Sequence, residues 1–137
     1  MPLDVEKPLE LAAKPIRAMT EFNKLLLGLS TGAVVLFINI VISLHSARWI
    51  SAFLVISAIS FGVAAVCCLR LLMRIIEIET IMVEAIQDTA EDWRSKYVPR
   101  VVRCTEQTTY NAAALQVFFV TGIAFAALFL LAFWLVH

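Results

Sequence analysis

The chain has 137 residues, of which 61% are hydrophobic and 16% are charged. A soluble domain of this length is about half apolar and about a quarter charged, so the composition excludes an ordinary soluble protein. Eleven basic residues balance eleven acidic ones, and this neutral charge gives no indication of a nucleic-acid partner.

Three long runs contain no Asp, Glu, Lys or Arg: residues 25–44, 49–69 and 112–136. A hydrocarbon core about 30 Å thick requires roughly 20 helical residues, so each run is long enough to cross the lipid bilayer. The sequence therefore predicts an all-α membrane protein of one domain. It has three transmembrane helices, with a cytoplasmic helical hairpin between the second and the third.

The N-terminal residues 1–14 mix charges with two prolines and are predicted to be a loosely ordered tail. Pro15 suits the first turn of a helix, where its missing N–H is not needed. Residues 15–23 are either an interfacial helical segment that leads into the first span or simply the cytoplasmic end of that helix. Only four residues then separate the first span from the second, which predicts a tight antiparallel pair.

The segment after the second span predicts a helix that leaves the membrane. Residues 70–98 contain no Gly or Pro, and their apolar residues recur at the three- and four-residue spacing of an amphipathic helix. The segment is too charged to be a fourth span. We therefore expect the second helix to continue to about residue 97. Pro99 disfavours helical angles in the residue before it, which places the reversal at residues 97–99.

The return arm of this hairpin is predicted to be residues 100–111. The two arms are then unequal, at about 40 Å and about 18 Å if both are helical. Such a hairpin closes only if its boundaries shift or the long arm leans. The alternative is that the long arm lies along the membrane surface.

The basic residues predict the orientation. Ten of the eleven lie before the first span or between the second and third, and three spans place these two segments on one side. The positive-inside rule puts that side in the cytoplasm and the C-terminus outside, in a bacterial inner membrane or a eukaryotic membrane. Trp49 and Trp134 would then lie at the outer interface, where indole rings are favoured.

Small residues at four-residue spacing in the spans are candidates for helix packing, because they let helix backbones approach closely. Gly28 and Gly32 form such a pair in the first span, which indicates either self-association or packing within one chain. The other candidates in the second and third spans are Gly62, Gly122 and Ala126.

Asn39, Gln116 and Thr121 are the candidate functional polar residues inside the spans. They could line a small polar path, or they could form hydrogen bonds between helices. No span carries an ionisable side chain at mid-depth, which argues against a pump or an ion-coupled transporter.

No motif indicates catalysis, a metal or a cofactor. The cysteines Cys67, Cys68 and Cys104 are predicted on the side opposite to His45 and His137, so no Cys–His pair or tetrahedral metal set can form. The adjacent pair of cysteines at the membrane boundary is either an S-palmitoylation site in a eukaryote or apolar packing. The sequence thus predicts a protein that is not an enzyme and uses no cofactor.

The leading functional hypothesis is an accessory, scaffold or regulatory subunit that contacts a protein partner through the hairpin. Trp93 and Tyr97, near the predicted tip, would be natural anchors in an interface, or they would cap the hairpin's own core. The alternative is a homo-oligomeric pore or small transporter whose path is lined by Asn39, Gln116 and Thr121.

Overall fold

The computed structural model describes residues 6–43, 48–88 and 92–136. They form three helices, α1 (Glu6–Ser43), α2 (Arg48–Gln87) and α3 (Trp93–Val136). Each helix contains a stretch long and apolar enough to cross a membrane. The prediction of an all-helical protein with three candidate spans is therefore confirmed, whereas the side on which the hairpin lies stays a prediction from the basic residues.

Helix α2 is the central helix, and it packs against both α1 and α3. Ten of its residues are buried, whereas the described side chains of α1 include only two buried ones, Asn23 and Ser30. The remaining surface of the spans is largely apolar and exposed, as expected where lipid is the surrounding solvent. The fold is thus a row of helices held together through α2.

Three clusters of buried side chains follow one another along α2. The terminal cluster joins Ile50 and Leu54 to Phe129 of α3, and the central cluster joins Ala64, Cys68 and Leu71 to Leu115. The hairpin cluster consists of Ile81, Tyr97 and Cys104. Rising residue numbers on α2 meet falling numbers on α3, so the two helices are antiparallel.

Helices α1 and α2 are antiparallel as well. Phe37 and Val41 pack against the terminal cluster, and Leu26 and Leu27 pack against the central one. The predicted antiparallel pairing of the first two spans therefore agrees with the structure. Its four-residue connection, residues 44–47, lies outside the described residues.

The ring of Phe61 links all three helices at the middle of the bundle. Its centroid lies 5.8 Å from that of Phe37 on α1 and 5.4 Å from that of Phe119 on α3. The Phe119 contact is edge-to-face at 87°, an arrangement that aromatic quadrupoles favour. Phe61 is buried, so this position contributes packing energy toward both neighbouring helices.

The N-terminal expectation is corrected. The predicted tail of residues 1–14 is largely helical, because α1 already begins at Glu6; residues 1–5 lie outside the described part. Residues 15–23 belong to the same helix, and both alternatives for that segment stay predictions.

The predicted position of the reversal in the hairpin is wrong. Helix α2 ends at Gln87 instead of continuing to about residue 97, and Pro99 lies inside α3 instead of ending a helix. The reversal therefore falls between Gln87 and Trp93, eight residues earlier than expected when the centres, residues 90 and 98, are compared.

Matched arm lengths give the physical reason for the shift. Residues 70–87 and 93–111 make arms of 18 and 19 residues, about 27 Å and about 28 Å long, so the hairpin closes without leaning. A proline inside a helix costs about 3 kcal/mol. Burial of each large apolar side chain recovers about 1.5–3 kcal/mol, and the matched arms bury the hairpin cluster.

Candidate functional site

The hairpin, residues 70–87 of α2 and 93–111 of α3, has a small core of its own. Ile81, Tyr97 and Cys104 are each less than a tenth exposed, and Ile78, Ala85 and Val101 pack around them. These residues follow one another at helical spacing on each arm, which is why the two helices meet along a single seam. The core holds the hairpin closed beyond the predicted spans.

Polar contacts connect the two arms near the tip. The Tyr97 hydroxyl donates a 3.0 Å hydrogen bond to Oδ2 of Asp88, and Lys96 Nζ lies 3.3 Å from the same oxygen. Further along, Arg100 pairs with Glu84 at 3.4 Å. Each exposed pair contributes less than about 1 kcal/mol. Their main effect is to favour one register of the arms, with acidic groups on or just after α2 facing basic groups on α3.

Lys96, near the tip of the hairpin, has a perturbed pKa. Side-chain hydrogen bonds with Tyr97 and with Asp88 raise the pKa of Lys96 above its ordinary value of 10.5. Its Nζ also lies 5.0 Å from the centroid of the Tyr97 ring, within the range of a cation–π contact. All of these contacts stabilise the charged form of the lysine.

The two aromatic residues predicted as partner anchors have different positions. Tyr97 is 6% exposed, so in this structure its ring packs in the hairpin core, as the second of the two interpretations expects. Trp93 begins α3, but its side chain lies outside what the structure describes. Whether either residue contacts a partner stays a prediction.

An apolar stripe that the sequence analysis did not single out runs along the outside of the hairpin. We define this outer stripe as Met82, Val83 and Ile86 of α2, whose side chains are 42%, 54% and 63% exposed. They share one helix face with the exposed Glu79, because residues three, four and seven apart are neighbours on a helix. Met82 and Ile86 belong to the apolar pattern that predicts this helix, but the pattern alone does not show which of its residues the other arm covers.

The packing candidates fall into two groups. A Cβ added at Gly122 would lie 2.9 Å from Cε2 of Phe61, whereas one added at Gly28, Gly32 or Gly62 would meet no atom within 4 Å. Gly122 therefore permits a close approach between α2 and α3. Ala126, one turn further along α3, is half-buried.

The three polar residues of the spans do not meet within one chain. Asn39 is exposed on α1, on the same outward surface as Gly28 and Gly32. Gln116 lines a cleft beside Asn23 of α1, and Thr121 donates its hydroxyl to the Val117 carbonyl of its own helix. A shared polar path would require several copies of the chain.

Two buried serines of the spans differ in their hydrogen bonding. Ser57 Oγ donates to the backbone carbonyl of Gly122 at 2.7 Å, and this bond crosses from α2 to α3. Ser30 is fully buried on α1, and its hydroxyl has no hydrogen-bond partner in the described structure. Sequence alone could not distinguish them, because both are single hydroxyls in apolar runs.

The chemistry-bearing side chains do not assemble into a reactive centre within the described ranges. There, no group of three or more His, Cys, Asp or Glu residues could hold a metal ion. Cys67, Cys68 and Cys104 are free thiols, and the last of these is buried in the hairpin cluster. The two acids at helical spacing, Glu84 and Asp88, each face a basic side chain of the opposite arm.

Comparisons of the whole chain with protein-family models, with curated proteins and with solved structures find no match.

Proposed function

We propose that this chain is a non-enzymatic accessory, scaffold or regulatory subunit that presents its hairpin to a protein partner. One observation carries the proposal: the hairpin has a closed core of its own and still leaves the outer stripe exposed. The core does not need Met82, Val83 or Ile86, so these side chains are available to another molecule. Exposed apolar patches on an ordered surface are typical of interaction sites.

The depth of the stripe favours a protein over the bilayer as its occupant. Met82 and Ile86 lie about 20 Å and about 26 Å along the helix from residue 69, the end of the predicted span. The polar headgroup region adds only about 5–8 Å on each side of the hydrocarbon core. An upright hairpin therefore carries the stripe into water, where a partner's apolar surface would stabilise it.

The chemistry of the stripe defines the partner further. Apolar residues at spacings of three and four on one helix face are suited to a second helix or a helix-binding groove. Glu79 lies on the same face and is exposed. We propose that the partner supplies an apolar helix face with a basic residue opposite Glu79.

Site-specific photo-crosslinking in native membranes tests this proposal. A photoreactive residue at Val83 or at Ile86 should give a discrete protein adduct, which mass spectrometry then identifies. The matched control is the same residue at Val66, an exposed position inside the second predicted span. Lipid adducts alone at residues 83 and 86, or the same protein adduct at residue 66, would contradict the proposal.

Polar substitutions in the outer stripe provide a second test of the proposal. The double variant Val83→Gln/Ile86→Gln should abolish the adduct formed from a reporter at Met82. Val98→Gln/Val102→Gln, which changes two half-exposed valines on the other arm, should leave it intact. The variants should retain their helical content, because all four side chains are outside the hairpin core.

A further inference from the structure

A polar cleft lies between α2 and α3 where both helices leave their predicted spans. It has a volume of about 650 Å³, and its polar lining is Arg70, Arg74, Glu77, Gln107, Tyr110 and Asn111. Residue 70 directly follows the apolar run 49–69, and residue 111 directly precedes the run 112–136. Ala112 packs against the central cluster beside Leu71, so the two walls are at the same depth. We name this cleft the boundary groove.

The boundary groove has a surplus of positive charge. Arg74 forms an ion pair with Glu77, three residues along α2. Arg70 is exposed and forms no ion pair with any described residue. The Arg70 guanidinium is therefore available to an anion in this groove, and guanidinium binds phosphate oxygens well.

Below the groove the exposed face of the predicted spans is apolar, and we name this strip the apolar furrow. On α2, Met73 lines the groove, and helical spacing places Val66 and Gly62 on the same face. Val66 is 52% exposed, and the space around Gly62 is open for at least 4 Å. On α3, Phe118 lies two turns below Asn111 and is partly exposed. A free phosphate would need only the upper part of this surface, whereas a phospholipid would use all of it.

Tyr110 marks the level of the membrane interface on the same surface. Its side chain is 76% exposed at the end of the third predicted span. Tyrosine is favoured at headgroup depth, because its ring is apolar and its hydroxyl is polar. Along the membrane normal, basic groups and an interfacial aromatic ring thus lie above an apolar furrow. A phospholipid has the same order, with its charged headgroup above its acyl chains.

We infer that the boundary groove binds one anionic phospholipid, with its phosphate held by Arg70 and an acyl chain lying past Val66 and Gly62. Basic pockets between transmembrane helices recognise anionic headgroups through the same chemistry. The inference is independent of any protein partner, because the groove and the outer stripe share no residue.

Native mass spectrometry of the purified full chain tests the charged end of the site. The protein is titrated in mild detergent with phosphatidylglycerol and, separately, with phosphatidylcholine of the same acyl chains. Phosphatidylglycerol should bind more tightly, and Arg70→Gln should weaken it about fivefold. Arg17→Gln is the matched control, since Arg17 is an exposed arginine on the same side but on α1. Equal weakening by both variants, or equal binding of the two lipids, would overturn the inference.

A second pair of measurements separates a lipid from a free phosphate. Gly62→Leu fills the furrow without changing charge, and it should weaken phosphatidylglycerol binding while the protein keeps its helicity and elution volume. Inorganic phosphate at millimolar concentration should not displace the lipid. Unchanged binding in Gly62→Leu, or displacement by inorganic phosphate, would show that the groove is a simple anion site and would overturn the lipid assignment.

Discussion

The hydroxyl of Ser57 donates a 2.7 Å hydrogen bond to the backbone carbonyl of Gly122, across the interface between α2 and α3. The same glycine lies against the ring of Phe61, one turn further along α2. Gly122 therefore makes two contacts with α2. Because it has no side chain, the Phe61 ring can pack against it, and its backbone lies close enough to accept the hydrogen bond from Ser57. Packing between the two helices depends on this point more than on the other glycines of the spans.

Gly122→Ala should destabilise the bundle. The added Cβ would lie 2.9 Å from Cε2 of Phe61, so the ring or the helix must move, at a cost of about 1–3 kcal/mol. Gly62→Ala is the matched control, because its Cβ meets open space and alanine raises helix propensity by up to about 1 kcal/mol. Reversible unfolding in micelles measures both variants, and an equal loss of stability would contradict the packing assigned to Gly122.

Ser57→Ala should lower the free energy of unfolding by about 0.6–1.7 kcal/mol, the range for hydrogen bonds between membrane helices. The comparison is Thr31→Val. The exposed hydroxyl of Thr31 bonds only to the Leu27 carbonyl of its own helix, so its loss should change stability by less than about 0.5 kcal/mol. If the two variants are equally destabilised, the cross-helix bond has no special contribution.

Ser30→Ala should raise stability or leave it unchanged. The hydroxyl is buried without a hydrogen-bond partner in the described structure, and an unsatisfied polar group of this kind costs about 1–3 kcal/mol. Alanine removes the hydroxyl and keeps the small volume. A clear fall in the unfolding free energy, measured in the same micelle assay, would mean that Ser30 forms a hydrogen bond that this structure does not contain.

Lys96 should stabilise the hairpin only while it is charged. The pKa of Lys96 is raised by hydrogen bonds to Tyr97 and Asp88, so the stabilisation is complete below the ordinary value of 10.5 and is lost as the pH rises through the raised folded pKa. The Tm difference between the native chain and Lys96→Met should therefore be largest below that pH and should shrink as the pH rises through the folded pKa. A difference that stays constant from pH 8 to pH 12 would contradict it.

Gly32→Leu should leave the stability of a single chain unchanged within about 0.5 kcal/mol. Gly32 is exposed, and a Cβ there meets no atom within 4 Å. Sedimentation of the native chain and this variant in detergent then tests self-association through the first span. A shift of the variant toward a lighter species supports that alternative, and identical profiles argue against it.

Several features of the fold follow from local sequence. The three runs without charged residues predicted three spans, and the structure has three helices of sufficient length and apolarity. The short connection between the first two spans predicted their antiparallel pairing, because four residues cannot reach any distant position. These predictions need only the length and polarity of each segment.

The hairpin boundary and the packing sites required the folded structure. Pro99 predicts a break by its local preference, yet α3 continues through it because the matched arms bury Ile81, Tyr97 and Cys104. The four glycines look equivalent as small residues in apolar runs, but only Gly122 has a ring beside it.

The sequence by itself therefore predicted a membrane environment, the number of candidate spans and an orientation, since these depend on composition along the chain. Tertiary structure decided where the chain reverses, which glycine permits close packing and which apolar side chains remain exposed on the hairpin. The physical reason is that hydrophobic periodicity shows which residues can be buried, whereas only the neighbouring helix decides which of them are covered.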